Sequence, residues 1–187
     1  MASDIDKSTH EVYEKNYGIK PYGDLYEIDE KTIPNYDILC AGFPCEPFSR
    51  SGKRKGFKDK RGVLFEEIIR FASYHKPKVL ALENVPGLLT HDKGHTLEVI
   101  TNKIRKIGYE VNYKVIKCSD YGIPQMRKRL IFLCVRNDIK HDIDLFDLSK
   151  YEKDIKLSDY LSKNFEKDYA YTIRCGGAKS PIDGRHN

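Results

Sequence analysis

The chain has 187 residues, of which 40% are hydrophobic and 33% charged, and its net charge is +5. This length allows one domain with a real core, or one domain plus part of a second. No apolar run approaches the roughly 20 residues of a membrane-spanning helix, and no signal-peptide core is present, so we expect an intracellular protein without a membrane partner. Its five cysteines lack metal-ligand spacing, so we expect no metal site.

Hydrophobic periodicity predicts alternating helices and strands along the first 136 residues. In chain order these are a helix at 6–17, a strand at 38–41, a helix at 62–74, a strand at 78–82, a helix at 96–107, and strands at 110–116 and 129–135. Strands that alternate with helices favour an α/β fold, with a mostly parallel sheet covered by helices on both faces.

The amino-acid composition of the chain changes after Asn137. Residues 138–168 mix acids and lysines with few apolar positions, which is typical of a linker, here with one short helix near 157–161. Residues 169–187 are rich in glycine and polar residues. We therefore predict a core at 1–137, a linker at 138–168 and the start of a recognition region at 169–187.

The octet Gly-Phe-Pro-Cys-Glu-Pro-Phe-Ser at 42–49 follows the first predicted strand. This places Cys45 at the C-terminal edge of a sheet, where open α/β folds bind their ligands. Pro44 fixes the local backbone, so the turn that carries the thiol should be stiff. A thiol held in this way can act as a nucleophile when its pKa is lowered.

A cluster of basic residues follows the octet directly. Seven of the twelve residues from 50 to 61 are lysine or arginine and one is acidic, while Gly52 and Gly56 favour a loop over a helix. A solvated loop would explain this composition by itself. The position next to Cys45 favours instead a contact with a phosphate backbone.

Polar residues also mark the ends of two other predicted strands. Glu83-Asn84-Val85 follows the second strand, at the sheet edge that carries Cys45, and adjacent strands lie about 4.8 Å apart. Arg127 and Arg129 alternate in an extended segment, so both guanidinium groups face one way and could hold a carboxylate, a carbonyl or a phosphate. Taken singly, a turn-capping acid and a polar strand entry would explain these residues.

Two acidic segments near the N-terminus also lie where strands are expected to end. Ser3-Asp4-Ile5-Asp6 and Gly23-Asp24-Leu25 each put an acid where a strand should end, as in folds that bind the ribose or adenine of a nucleotide. Capping of a helix N-terminus by Asp4 or Asp6 is the alternative.

Taken together, these motifs resemble those of the cytosine-5 DNA methyltransferases, most closely the bacterial restriction-modification type. Residues 42–49 resemble the Pro-Cys motif of the family, residues 83–85 its Glu-Asn-Val motif, and residues 125–129 its Gln-x-Arg-x-Arg motif. Their order and spacing also agree, over most of residues 1–136. The resemblance implies a Rossmann-like fold that uses S-adenosylmethionine, and double-stranded DNA as the partner in a bacterial cytoplasm.

The resemblance also implies a role for each catalytic residue. Cys45 would attack C6 of a cytosine flipped out of the duplex, so that C5 can accept a methyl group. Glu83 would contact N3 and the exocyclic amine of the base, and Asn84 would brace the Pro-Cys turn. Arg127 would position Glu83, while Arg129 would reach the O2 atom of the base.

Further contacts follow from the same resemblance. Asp4 and Ile5 correspond to contacts with the cofactor ribose and adenine, and Asp24, next to Leu25, to the contact with the adenine amine. The remaining implied contacts are Pro44 and Leu64 at the methionine end of the cofactor, and Ser49, Ser51, Lys53, Arg54 and Arg61 with DNA.

The chain departs from the family pattern in three places. Glu46 replaces the usual glutamine after the nucleophile, the first strand with its glycine-rich turn is missing, and the motifs of the C-terminal part are missing. We therefore expect weak cofactor binding by the chain alone, an exposed sheet edge, and a complementing chain as a partner. A nucleic-acid-binding remnant without turnover, one half of a split enzyme and a tRNA cytosine-5 methyltransferase are the alternative functions.

Overall fold

The structure is a computed structural model that describes residues 1–44, 60–141, 146, 156–160 and 169–170, with only the backbone at 60–63. The chain divides into two compact units, Met1–Val115 with Arg129–Asp147, and Ile116–Lys128 with Leu148–Asn187. The predicted division into a core, a linker and a recognition region stays a prediction.

The predicted helices and strands are all present among the described residues. They are α1 (Lys7–Tyr17), β1 (Ile38–Gly42), α2 (Lys60–His75), β2 (Val79–Asn84), α3 (His95–Lys106), β3 (Tyr109–Lys117) and β4 (Lys128–Arg136). A short 3₁₀ helix at Leu157–Asp159 lies where a short helix was predicted. Local signals explain the ends of α1, because the Asp6 carboxylate caps its first turn and Gly18 ends it with a φ of 65°.

The four strands form one sheet in the order β1-β2-β4-β3. β1 and β2 are parallel, and Gly42 is paired with Glu83 at their C-terminal ends. β4 runs antiparallel to β2, so the sheet is mixed rather than parallel throughout. β3 and β4 are neighbours in the sheet, and residues 118–127 that join them are too few for a parallel crossover, which takes about a dozen residues or more.

One face of the sheet carries the main hydrophobic core. Leu80 and Leu82 of β2 lie opposite Cys134 and Phe132 of β4, and each of the four is at most 1% exposed. Residues of both α2 and α3 belong to the same cluster, namely Phe65, Ile68, Ala72, Ile100 and Ile104. Burial of this apolar surface holds the sheet and both helices together, which fixes the ends of β1 and β2 in space.

No helix in the described part of the chain is long and apolar enough to cross a membrane.

The buried Cys134 makes a pH-dependent contribution to stability. Burial raises the pKa of its thiol to about 12, from an ordinary value of 9.0. The folded state therefore favours the protonated thiol, and this stabilisation is complete below pH 9 and is lost as the pH rises through about 12.

We expect Cys134→Val to flatten the alkaline fall in the free energy of unfolding, by up to about 1.4 kcal/mol per pH unit above pH 9. Urea unfolding of both proteins at pH 8, 9.5 and 11 measures this difference. Burial also raises the pKa values of Tyr36 and Tyr109 to about 12, and both tyrosines remain in the variant. Equal slopes for the variant and the wild type would contradict the assignment.

Candidate active site

The C-terminal ends of β1 and β2 bring two of the predicted motifs together. Glu83 is paired with Gly42, and Phe43 and Pro44 continue from β1 towards Cys45. Two parallel strands end here side by side, as the sequence predicts. Each motif therefore contributes backbone or side-chain groups to one small region of the sheet edge.

Asn84 connects the two motifs directly. Its side chain is buried, with only 3% of the residue exposed. The amide Nδ2 donates a hydrogen bond of 2.8 Å to the carbonyl of Phe43, and Oδ1 accepts one of 2.8 Å from the amide of Val85. Because Phe43 lies two residues before Cys45, Asn84 fixes the backbone that leads to the predicted nucleophile.

Glu83 is held between an arginine and the backbone of β1. Its Oε1 forms an ion pair with Nε of Arg129, at the start of β4. A Cβ atom at position 42 would lie 3.3 Å from Oε2 of Glu83, so Gly42 leaves room for the carboxylate. The Glu83 side chain remains 44% exposed, which keeps it accessible to a ligand.

The partner of Glu83 differs from the one that the resemblance implied. We expected Arg127 to position Glu83 and Arg129 to bind the base, but the ion pair is formed by Arg129. The carbonyl of Arg127 accepts a 2.9 Å hydrogen bond from the amide of Cys118, within the other unit. A side-chain role for Arg127 stays a prediction.

The two acidic segments lie side by side at the front of the chain. Ser3 and Tyr22 form an isolated parallel bridge, and the hydroxyl of Ser3 donates a 2.7 Å hydrogen bond to the carbonyl of Gly23. Asp6 caps the N-terminus of α1, as the capping alternative predicts. Asp24 also caps a helix, which was not predicted from the sequence. One oxygen of Asp24 accepts a 3.0 Å hydrogen bond from the amide of Tyr26, at the start of a 3₁₀ helix.

A cavity of about 940 Å³ lies next to these segments. All six residues predicted to bind the cofactor line it: Asp4, Ile5, Asp24, Leu25, Pro44 and Leu64. The wall contains both carboxylates and aliphatic side chains, which suits a ligand with a polar nucleoside and a less polar tail. These residues therefore fit the predicted cofactor in chemical character and in size.

Several predicted residues lie outside the described part of the chain. They are Cys45, Ser49, Ser51, Lys53 and Arg54, together with the side chain of Arg61. The departure at Glu46 also falls there. Among the described residues, no group of three or more His, Cys, Asp or Glu side chains could hold a metal ion.

Sequence reasoning missed Arg70, which lies on α2 beside the cavity wall. Its guanidinium group donates to the carbonyls of Leu25 and Ile28 at 3.2 and 3.1 Å, and it forms ion pairs with Glu30 and Glu67. The helical spacing of Glu67 and Arg70 was readable from the sequence. The contacts of Arg70 with residues about 40 positions earlier in the chain could not be predicted from the sequence.

Comparisons with known proteins agree with this geometry. A model of the family described as C-5 cytosine-specific DNA methylase matches residues 1–178. The chain is 48% identical to the type II methyltransferase M.HhaI of Haemophilus parahaemolyticus, over 84% of this chain and 50% of that protein. It is 40% identical to M.DsaV of Dactylococcopsis salina, over 93% of this chain and 50% of that protein. The chain thus spans about half the length of these relatives.

Solved structures show the same fold. The S. pombe Dnmt2 methyltransferase is 23% identical, with a TM-score of 0.66 over 86% of this chain and 52% of that one. A putative DNA modification methyltransferase from an E. coli prophage is 25% identical, with a TM-score of 0.62 over 77% of this chain and 42% of that one. The predicted Rossmann-like methyltransferase fold is confirmed.

Proposed function

We propose that this chain, which belongs to the C-5 cytosine-specific DNA methylase family, is the catalytic core of a DNA cytosine-5 methyltransferase from a restriction-modification system. The observation that carries the proposal is the Asn84 amide, which ties the Glu-Asn-Val motif to the backbone just before Cys45. A buried side chain that links two motifs at one sheet edge supports a common catalytic purpose for both.

In this proposal, Cys45 is the nucleophile. Its sulfur forms a bond to C6 of the cytosine, and the electrons of the C5–C6 double bond make C5 able to take up a methyl group. The proton on C5 then leaves, and the C5–C6 double bond re-forms as the bond between sulfur and C6 breaks. The base must leave the helical stack for this attack, so the substrate is a flipped cytosine in duplex DNA.

Glu83 neutralises the negative charge that develops on the ring by donating a proton from its carboxyl group to N3 of the base. Its exposed carboxyl group contacts N3 and the exocyclic amine, and Arg129 keeps that group in position through their ion pair. Groups aimed in advance at developing charge need little reorganisation during the reaction. The position of Glu83 beside Gly42 supports this role, since it places the carboxyl group near the turn that carries Cys45.

The cofactor we propose is S-adenosylmethionine, held by the six predicted residues, which are among those that line the cavity of about 940 Å³. When bound, this cofactor supplies an electrophilic methyl group. Asp4 and Ile5 contact the ribose and adenine, Asp24 with Leu25 contacts the adenine amine, and Pro44 and Leu64 enclose the methionine end. The presence of all six residues in the wall of one cavity supports this assignment.

Double-stranded DNA is the proposed partner, which places the protein in the bacterial cytoplasm. The basic cluster at 50–61 follows the proposed nucleophile and suits the phosphate backbone. Ser49, Ser51, Lys53, Arg54 and Arg61 are the residues we assign to these contacts.

A complementing chain or segment is the second proposed partner. Helix α1 has no buried residue among its 11, and Val12 and Tyr17 are 61% and 66% exposed. Isolated helices shorter than about 12–15 residues are marginal in water, so α1 needs a packing partner to be stable. A complementing segment that carries the glycine-rich turn would supply one and would strengthen cofactor binding.

The test is transfer of labelled methyl from S-adenosylmethionine to mixed-sequence duplex DNA and, in parallel, to tRNA. We expect weak incorporation into DNA by the chain alone, and at least about tenfold more when the glycine-rich segment of a relative is added in trans. Incorporation into tRNA alone would overturn the DNA assignment. DNA binding without any incorporation, even after complementation, would favour a remnant without turnover.

A further inference from the structure

The segment that follows Asp24 is attached to α2 by several polar contacts of one side chain, that of Arg70. Nη2 of Arg70 donates to the carbonyls of Leu25 and Ile28, at 3.2 and 3.1 Å. Nη1 pairs with Glu30, and Nε donates to Glu67 at 2.7 Å. One guanidinium group therefore holds three points of the segment from residue 25 to residue 30.

Apolar packing beside Arg70 reinforces this attachment. The next residue, Phe71, is 2% exposed and forms a small buried cluster with Ile28 and Ile33, against which Leu25 packs. One turn further along α2, the ring nitrogen Nε2 of His75 lies 2.9 Å from the carbonyl of Glu30. The segment thus rests on one side of α2, and Arg70 provides its polar contacts at the end near Asp24.

This attachment matters for the cavity because Leu25 is both a partner of Arg70 and part of the cavity wall. Asp24 lies one residue earlier, in the same wall. The cap that Asp24 provides to Tyr26 depends on the same turn that Arg70 holds through the Leu25 carbonyl. Loss of Arg70 would leave two carbonyls and two carboxylates without their cationic donor and would free this turn.

We propose that Arg70 is a positioning residue for the nucleoside end of the ligand cavity, acting through Asp24 and Leu25. The proposal rests on the cofactor assignment given under Proposed function. Arg70 itself makes no contact with the ligand in this scheme. It fixes the position of the Asp24 carboxyl group, which meets the 6-amino group of adenine. A forked guanidinium can hold several acceptors at once in this way, and a lysine ammonium group cannot.

The test combines a variant of the protein with a variant of the ligand. The affinity of the chain is measured by NMR titration for S-adenosylhomocysteine, and for its analogue with purine in place of adenine, which lacks the 6-amino group. We expect Arg70→Met to weaken binding of S-adenosylhomocysteine about tenfold and binding of the purine analogue less than twofold. Arg70→Lys keeps the charge without the fork, and we expect it to retain less than a third of the wild-type affinity.

A matched control is available at an ion pair between α3 and α2. Lys103 pairs with Glu66 of α2, and its side chain is 31% exposed, as is that of Arg70. Lys103→Met removes an ion pair from α2 without touching the 25–30 segment, and we expect less than a twofold change for either ligand. Hydrogen exchange of amides 24–33 should accelerate about tenfold in Arg70→Met and remain unchanged in Lys103→Met.

Three outcomes would overturn the proposal. Equal losses for both ligands would show a general structural effect, and unchanged affinity or exchange in Arg70→Met would show that Arg70 holds nothing of consequence. A wild-type chain that binds neither ligand at millimolar concentration, with the complementing segment present, would overturn the cofactor assignment and the positioning role with it. If the wild type and Arg70→Met bind S-adenosylhomocysteine equally well, only the role of Arg70 is overturned.

Discussion

Replacement of Cys45 by alanine should lower the rate of methyl transfer to DNA by a factor on the order of 10⁴ or more. Without the sulfur, no bond forms to C6, and C5 of cytosine remains too weak a nucleophile to accept a methyl group. Binding of DNA should change little, because we assign the phosphate contacts to the basic cluster at 50–61 and not to Cys45. Labelled methyl incorporation under single-turnover conditions measures the effect, with the complementing segment present.

A covalent adduct provides a second measurement for Cys45. Duplex DNA that carries 5-fluorocytosine should trap the protein, because fluorine cannot leave as the C5 proton does and the sulfur bond therefore persists. Cys118→Ala is the matched control, since this thiol is half-buried and belongs to the other unit. Trapping by Cys118→Ala and its absence in Cys45→Ala are expected, and an adduct in Cys45→Ala would exclude the assigned nucleophile.

The second large effect is expected at Glu83. Glu83→Gln keeps the shape of the side chain but removes the charge that pairs with Arg129 and the carboxyl group that contacts N3. Loss of a preorganised group at developing charge typically costs about 10²–10³ in rate, and we expect a decrease in that range. Single-turnover rates at saturating DNA and cofactor would separate this effect from weaker binding.

Glu66→Gln serves as the control, because Glu66 also pairs with a cation but lies on α2. A double-mutant cycle with Arg129→Met extends the experiment. If Arg129 acts through Glu83, the double variant should be little slower than Glu83→Gln alone. A decrease below about threefold in Glu83→Gln, or fully additive effects in the cycle, would contradict the proposed pair.

Much of the fold was predictable because local patterns determine it. The periods of apolar residues indicate each helix and strand, and Asp6 and Gly18 mark the ends of α1. The direction of β4 was not predicted, since periodicity carries no information about strand direction. The short connection at 118–127 contained that information, because it is too short for a parallel crossover.

The contacts in the candidate site were also predictable only in part. The contact between Asn84 and the Pro-Cys turn was expected from the resemblance, and the buried hydrogen bond to Phe43 agrees with it. The ion pair of Arg129 with Glu83 was not expected, because Arg127 and Arg129 were predicted to face one way in an extended segment and either could reach a neighbouring carboxylate. Arg70 was missed for a different reason, since its partners lie about 40 residues earlier and only the folded chain brings them together.

Asn84 uses both of its polar groups on the backbone of its own site, one on Phe43 and one on Val85. Its side chain therefore loses conformational freedom when the protein folds and not when a substrate arrives. Under the proposed function, the entropy decrease of this side chain is completed before any encounter with DNA, which leaves more of the binding energy for extruding the base. Under that function, the rate of the chemical step depends in part on a side-chain orientation that is completed during folding.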